Sequence, residues 1–340
     1  MKRIVLLLAV LLGTSLLGAL PVKKALVPKK IKVVTTLSVL ASLTRELGGD
    51  RVEVSSLSSA TEDPHFVKAK PTFKRLVSDA DLFIQIGRSL ELWAPLVINA
   101  SGNAKLISGE SVVTASQGVQ ALEVPKELTR QQGDIHPQGN PHIWLSPQAV
   151  LKMAENIKNA LVKVDAAHKS TYDANLSAFN NKLANAMFGV ELVNKAKNND
   201  FLWRLHEGHK LEEYSKNHKL NLGGWLKQAV AINYTFLTYH TVFSYMANDF
   251  ALKIMGQIEE KSGVAPTLRY QNELVKKAKA LGVKHIVAAS YYIGNSKLIE
   301  LIAEQIGGRK IFVNVDCEEK QSYFDFMNNL INLLVKFKSA

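Results

Sequence analysis

The sequence predicts an α/β protein of two lobes, each a mostly parallel sheet flanked by helices, the two joined by one long rigid helix. Three observations predict it. Short β-branched or apolar runs alternate with amphipathic stretches over residues 31–98, and the alternation returns after residue 232. Strands alternating with helices imply a parallel sheet covered on both faces. Between the two halves, residues 168–196 run at helical spacing without a proline, enough for a strut of about 40 Å at 1.5 Å per residue. Finally, 340 residues exceed the roughly 250–300 at which single cores stop growing.

In order along the first half, IKVVTT (Ile31–Thr36) is a β-branched strand. Leu37 to Leu47 is an amphipathic helix stopped by Gly48-Gly49. VEVSSL (Val52–Leu57) is a strand, followed by a loop around Asp63-Pro64 and a helix near Thr72–Val77. DLFIQIG (Asp81–Gly87) is a buried strand, and helical spacing resumes from Leu90 to Ile98. Thr129 to Gly139 is polar and turn-rich, a surface loop, and a helix follows from Pro147 to about Asp165.

The linking helix is expected from His168 to about Ala196, and short helical pieces fill residues 198–228. Strands are then expected at Ile232–Tyr239, Leu252–Ile258, His285–Ser290 and Lys310–Val315. Helices at about Val242–Phe250, Leu268–Leu281, Lys297–Ile306 and Tyr323–Phe337 separate and follow them. This divides the chain into a lobe over 31–165, a link over 166–197 and a second lobe over 198–340.

The formal net charge is +12, a balance that suits nucleic acid, an anionic membrane surface or an acidic partner. The lysines, however, are spread among apolar residues at helical spacing, as at Lys152, Lys158 and Lys163, and read as solvated helix faces. No RNP, zinc-finger or basic-region pattern is present, so nucleic acid is not an expected partner. At the N-terminus, Lys2 and Arg3 precede the apolar run Ile4–Leu12 and then small residues as far as Ala19. That is the pattern of a secretory signal peptide over 1–19. A retained anchor is the alternative, because Ile4 to Leu20 is borderline for a span of about 20 residues. The single cysteine, Cys317, is far from that leader, which excludes both an intramolecular disulfide and a lipid-modified cysteine behind it. An exported, unlipidated soluble protein belongs in a periplasm.

Four segments place a metal-capable side chain at the end of a strand or in the loop after it. They are EDPHF with His65, GNPHIWLSP with His142, TYHTVFSY with His240 and NVDCEE with Asp316. In parallel α/β sheets, ligands bind outside the carboxyl ends of the strands. Two candidates come from each half, so one site using all four lies in the cleft between lobes. Proline before His65 and before His142 restricts the preceding residue and stiffens the turn that presents each imidazole.

With these segments the chain resembles the cluster A-I metal-binding proteins of zinc and manganese ABC importers, from about Ile31 to Phe337. The resemblance rests on VVTTLSVLASLTRELGGDRVEV, DPH, IGRSLELW, NPHIWLSP, TYHTVFSYMANDF and VDCEEKQSYFDFMNNLINLL. It implies two α/β lobes joined by a rigid helix, with the metal buried between them. The family's ligand positions fall on His65, His142, His240 and Asp316, and its partner is the membrane subunits of an ABC permease. The third position is glutamate in some manganese members. Three departures stand out. Residues 200–227 form a longer link, carrying His206, His209 and His218, expected to be exposed. Ser290-Tyr291 replaces an acidic residue common after the strand His285–Ser290. Only His136 stands where many zinc members carry a histidine-rich loop.

Three imidazoles and a carboxylate suit Zn²⁺, tolerate Mn²⁺ or Fe²⁺ and disfavour Ca²⁺ or Mg²⁺. A shell closed by four protein ligands argues for carriage rather than catalysis, since catalytic zinc keeps a position for water. The expectation is a monomeric, non-enzymatic solute-binding protein, with zinc first and manganese second. One rival is a metal-dependent hydrolase on the same histidines, with Glu62 as its base; no H-E-x-x-H motif is present. Another is an adhesin that metal only stabilises.

Overall fold

The computed structural model describes residues 29–127, 133 and 135–338. The expected signal peptide and part of the polar loop at 129–139 lie outside the described residues. The first half runs β1 (Ile31–Thr35), α1 (Ser38–Gly48), β2 (Val52–Ser56), α2 (Pro71–Ser78), β3 (Leu82–Gln85), α3 (Ala94–Ser101), α4 (Ala104–Ile107), β4 (Val112–Thr114) and α5 (Pro147–Val164). The middle holds α6 (Lys169–Phe188), α7 (Val190–Ala196), α8 (Asn199–Glu207), α9 (Leu211–Asn217) and α10 (Gly224–Ala229). The second half runs β5 (Thr235–Thr238), α11 (Ser244–Phe250), β6 (Lys253–Gln257), α12 (Leu268–Ala280), β7 (His285–Ala289), α13 (Ser296–Gln305), β8 (Arg309–Val313) and α14 (Tyr323–Phe337).

Each half builds one four-stranded sheet, and every pairing within them is parallel. The orders are β2-β1-β3-β4 and β6-β5-β7-β8, the same winding twice. In each, the chain steps to one side of the first strand and then crosses to its other side. The switch points therefore lie beside the ends of β1 and β5, where doubly wound sheets leave a crevice for ligands. β1 buries Ile31, Val33 and Val34 and exposes Lys32. β3 buries Leu82, Phe83 and Ile84 in succession, as a strand covered on both faces must. The edge strand β4 has only three half-buried residues, too short to give a periodic signal.

Two expected helices change. The stretch expected from Leu90 begins only at Ala94. Arg88 and Ser89 have left-handed backbone (φ 54 and 62), and the Glu91 carboxylate accepts from the amides of Ile86 and Gly87 at 2.7 and 3.0 Å. Those bonds hold residues 86–91 as a turn. The link expected as one helix to Ala196 ends at Phe188, because Gly189 adopts φ 86, ψ 147. A Cβ on Gly189 would lie 2.6 Å from Gly223 Cα, so the two glycines let the chain cross itself closely. The continuous strut is thus about 30 Å at 1.5 Å per residue. α6 packs on α1, α5 and α10.

The two halves share one apolar core. Leu40, Trp144, Phe179, Phe188, Trp225, Phe243, Tyr323 and Met327 belong to a single buried cluster, while smaller clusters sit around Phe83 and around Ile286. Trp144 is fully buried; its indole N–H donates to the Val315 carbonyl, and the Tyr323 hydroxyl donates to its own carbonyl at 3.2 Å. Of the histidines of the extra segment, His209 and His218 are exposed, as expected, whereas His206 is half-buried against Phe188 and Trp203. No helix among the described residues is long and apolar enough to cross a membrane.

Candidate metal centre

Each expected ligand lies at the carboxyl end of a sheet. His65 follows β2, His142 follows β4, His240 follows β5 by two residues and Asp316 follows β8 by three. The fold brings the three histidines together. Each offers one nitrogen, these nitrogens lie within 4.8 Å of one another, and all three side chains are buried. His65 Nε2 is 3.2 Å from His142 Nε2. Ring centroids are 5.3 Å apart for His65 and His142, 5.6 Å for His65 and His240, and 5.2 Å for His142 and His240.

The tautomers follow from the surrounding oxygens. Asn140 donates through its Nδ2 to Glu123 Oε2 at 2.7 Å and to the Thr241 carbonyl at 2.8 Å. Its Oδ1 must then accept, and it faces His142 Nδ1 at 2.9 Å and the His142 amide at 2.8 Å. His142 therefore carries its proton on Nδ1 and leaves a lone pair on Nε2. On His240, Nδ1 faces Glu259 Oε2 at 2.7 Å, and the buried Nε2 has no hydrogen-bond partner. An imidazole whose Nδ1–H is held by an oxygen is oriented and made more basic at Nε2, the arrangement found around metal-ligating histidines.

Electrostatics favour a neutral His142. Burial, and then the neighbouring His240, His65 and His136, holds His142 well below its ordinary value. The 3.2 Å approach of two Nε2 atoms also matches one ion. Two nitrogens at 2.0–2.1 Å from a tetrahedral zinc are about 3.3 Å apart. The donor set fits a borderline-soft divalent ion.

Asp316 stands apart from this trio. Its Oδ2 accepts from the Ser38 amide at 3.0 Å, and its Oδ1 from the amides of Val39 and Cys317 at 2.7 and 2.8 Å. The carboxylate thus caps the N-terminus of α1, which has no acidic residue in its first turn. Burial pushes it up to about 6 against the opposing pull of those amides.

Several functional groups were not anticipated. Glu259 lies two residues past β6, the same topological position as the ligands, and that placement was the available signal. Asn140 lies two residues before His142, within the segment GNPHIWLSP. Arg88 is buried; its Nη1 donates to Tyr245 Oη at 2.6 Å and to the Asn140 carbonyl at 3.3 Å, tying the His142 turn to α11. Glu62 turns elsewhere: it accepts from Lys70 Nζ at 2.8 Å and from the Ser59 amide at 3.0 Å.

A family model described as the zinc-uptake complex component A, periplasmic, matches residues 33–189 and 210–337. The chain belongs to this family. Between the two matched stretches, residues 190–209 are not matched. Among relatives, the high-affinity zinc uptake system protein ZnuA of Bacillus subtilis is 25% identical over 318 residues, 90% of this chain and 86% of that protein. The manganese ABC transporter substrate-binding lipoprotein PsaA of Streptococcus pneumoniae is 32% identical over 192 residues, 54% of this chain and 59% of that protein. The crystal structure of a zinc-bound ZnuA deletion mutant superposes with a TM-score of 0.67 at 21% identity, covering 92% of this chain and 99% of that one. A Mn-bound periplasmic metal binding protein from candidatus liberibacter asiaticus gives 0.62 at 17%, covering 91% and 99%. These structures carry the two-lobe α/β fold to the chain.

Proposed function

We propose that the chain is the substrate-binding protein of an ABC importer, carrying one divalent transition metal between its lobes to the permease. The observation that carries this reading is the convergence of His65, His142 and His240, with the tautomers of His142 and His240 fixed from outside so that Nε2 faces inward. His65, His142 and His240 bind the ion, and Asp316 supplies the fourth ligand once its carboxylate leaves the amides of α1. Zinc is the first choice, because three imidazoles suit a borderline-soft ion; manganese is second, with iron a further alternative. The lobes are residues 31–165 and 198–340, linked through 166–197, so the ion cross-links them and marks the loaded form for the permease. The chain acts as a monomer in the periplasm, exported by its leader and without a lipid anchor.

A hydrolase would need a base beside the ion. Glu62, the candidate, is held by Lys70 and Ser59 instead, which favours carriage. Elemental analysis of the protein purified from its own periplasm tests the proposal. One equivalent of zinc or manganese, lost in His240→Ala, is the expected result. A metal-free wild type that also fails to take up zinc in vitro would overturn it.

A further inference from the structure

An interior strand of the second sheet leads to a side chain that the centre has so far left without a role. β7 lies between β5 and β8, the strands whose ends lead to His240 and Asp316. Two residues past β7, in the short helical turn Ser290–Asn295, stands Tyr291. Its ring is half-buried. Its hydroxyl oxygen is fully buried and has no partner in hydrogen-bonding geometry, although the Tyr292 hydroxyl pulls on it weakly. The Tyr292 ring lies 4.7 Å from that of Tyr291 and 6.1 Å from that of His240, centroid to centroid, which sets the pair beside the triad.

A buried hydroxyl without a partner is costly, and carboxylates surround this one. Burial, and then Asp63, Asp316 and Glu259, hold the Tyr291 hydroxyl well above its ordinary value, so it is a neutral donor among acceptors. Glu259 is already spent on His240 and the Gly263 amide. Asp63 accepts from the His65 amide at 3.0 Å, in the other half of the chain. Asp316 differs, because acting as fourth ligand obliges it to exchange partners. One oxygen turns to the ion, and the other, released from the amides of α1, needs a donor in a buried place. The Nδ1 protons of His142 and His240 are committed to Asn140 and Glu259. The Tyr291 proton is not.

We propose that Tyr291 is a positioning residue whose hydroxyl, in the loaded protein, donates to the non-ligating oxygen of Asp316 and keeps that carboxylate monodentate. This rests on reading His65, His142, His240 and Asp316 as the metal site, and it adds a reason for the choice of ion. Three imidazoles and one carboxylate oxygen make a four-coordinate site, which suits zinc, whereas manganese favours six ligands rich in oxygen. Without the hydroxyl, the second oxygen of Asp316 is free to chelate, and the site admits a higher coordination number.

Tyr291→Phe keeps the ring and removes only the donor. Cobalt(II) is the probe, because its visible absorption is intense when four-coordinate and weak when five- or six-coordinate. The cobalt-loaded wild type should show the intense spectrum and Tyr291→Phe the weak one. Chelator competition should give the variant a zinc-over-manganese preference lower by about tenfold, the lower end of the effect of losing an outer partner. The metal-free variant should melt with the wild type, since the hydroxyl has no partner to lose there. Identical cobalt spectra with an unchanged metal preference, the result if the hydroxyl serves Asp63 instead, would overturn the inference and leave the four ligands standing. A weak wild-type spectrum would overturn it too. Wild-type protein that takes up neither cobalt nor zinc would remove the reading of the site itself.

Discussion

Glu259 Oε2 lies 2.7 Å from His240 Nδ1, and both side chains are buried at the carboxyl ends of the adjacent strands β5 and β6. Glu259 uses its other oxygen, Oε1, to accept from the Gly263 amide at 2.9 Å, so the carboxylate is held from two sides. A buried imidazole without this acceptor would turn or change tautomer, and either event withdraws Nε2 from the centre. Glu259→Ala is expected to weaken zinc binding about 10–100-fold, the range seen on loss of an outer partner. Competition against a chromophoric chelator measures this. Wild-type affinity in the variant would mean that Glu259 does not orient the ligand.

Asp316 and the histidines should separate when stability and binding are measured on the same variants. Any of His65→Ala, His142→Ala or His240→Ala should abolish stoichiometric zinc binding while leaving α1 capped. Asp316→Ala removes the acceptor for the Ser38 and Val39 amides. It should therefore lower the stability of the metal-free protein by about 0.5–2 kcal/mol, the usual cost of a lost N-cap. Urea denaturation in the presence of a strong chelator gives the comparison. A metal-free Asp316→Ala protein as stable as the wild type would show that the cap contributes nothing.

Much of the fold was legible because its signals are local. β-branched runs such as Ile31–Thr35 and His285–Ala289 and the amphipathic repeat of Tyr323–Phe337 were read within a residue or two of their ends. What was missed depends on partners distant in sequence. Gly189 ends α6 in a backbone conformation that also lets Gly223 approach closely, and nothing in the local sequence around residue 223 marks that meeting. Glu91 delays α3 by bonding amides that precede it. At the site, strand ends and the Pro-His pairs pointed to the triad. The capping contact of Asp316 with α1 spans the whole chain, and no spacing rule reports it.

The glycine crossing gives a test of packing against backbone strain. Gly189 has φ 86 and Gly282 has φ 66, so alanine is strained at both. Beyond that strain they differ: a Cβ at 189 meets Gly223 Cα at 2.6 Å, and a Cβ at 282 meets nothing within 4 Å. Gly282→Ala should cost about 1–2 kcal/mol, the left-handed penalty alone. Gly189→Ala adds a backbone clash between α6 and the segment before α10, for a total of about 3–5 kcal/mol. Chemical denaturation of the two variants measures the difference. Equal losses would mean that the crossing yields without cost.

Acid sensitivity should come from the extra helical segment as well as from the metal site. Burial against Phe188 and Trp203, and next the charge of His209, depresses His206 from 6.5 to about 4. A neutral, half-buried histidine of this kind contributes stability that is fully present above 6.5 and lost as pH falls through about 4. The whole window corresponds to at most about 3 kcal/mol, less what solvent screening removes. Asp249 acts in the opposite sense. Burial raises it from 3.8 to about 6, although Ser146 Oγ and the Gln148 amide donate to its Oδ2 at 2.6 and 3.2 Å. Its contribution is present below 3.8 and lost as pH rises through about 6. In metal-free protein, His206→Gln should therefore flatten the decline in stability between pH 6.5 and 4. Asp249→Asn, which keeps an acceptor oxygen for Ser146, should be more stable than the wild type at pH 7.5 and lose that advantage toward pH 4. Urea titrations across this range read both effects, and a His206→Gln profile that follows the wild type throughout would show that His206 is not the buried neutral group.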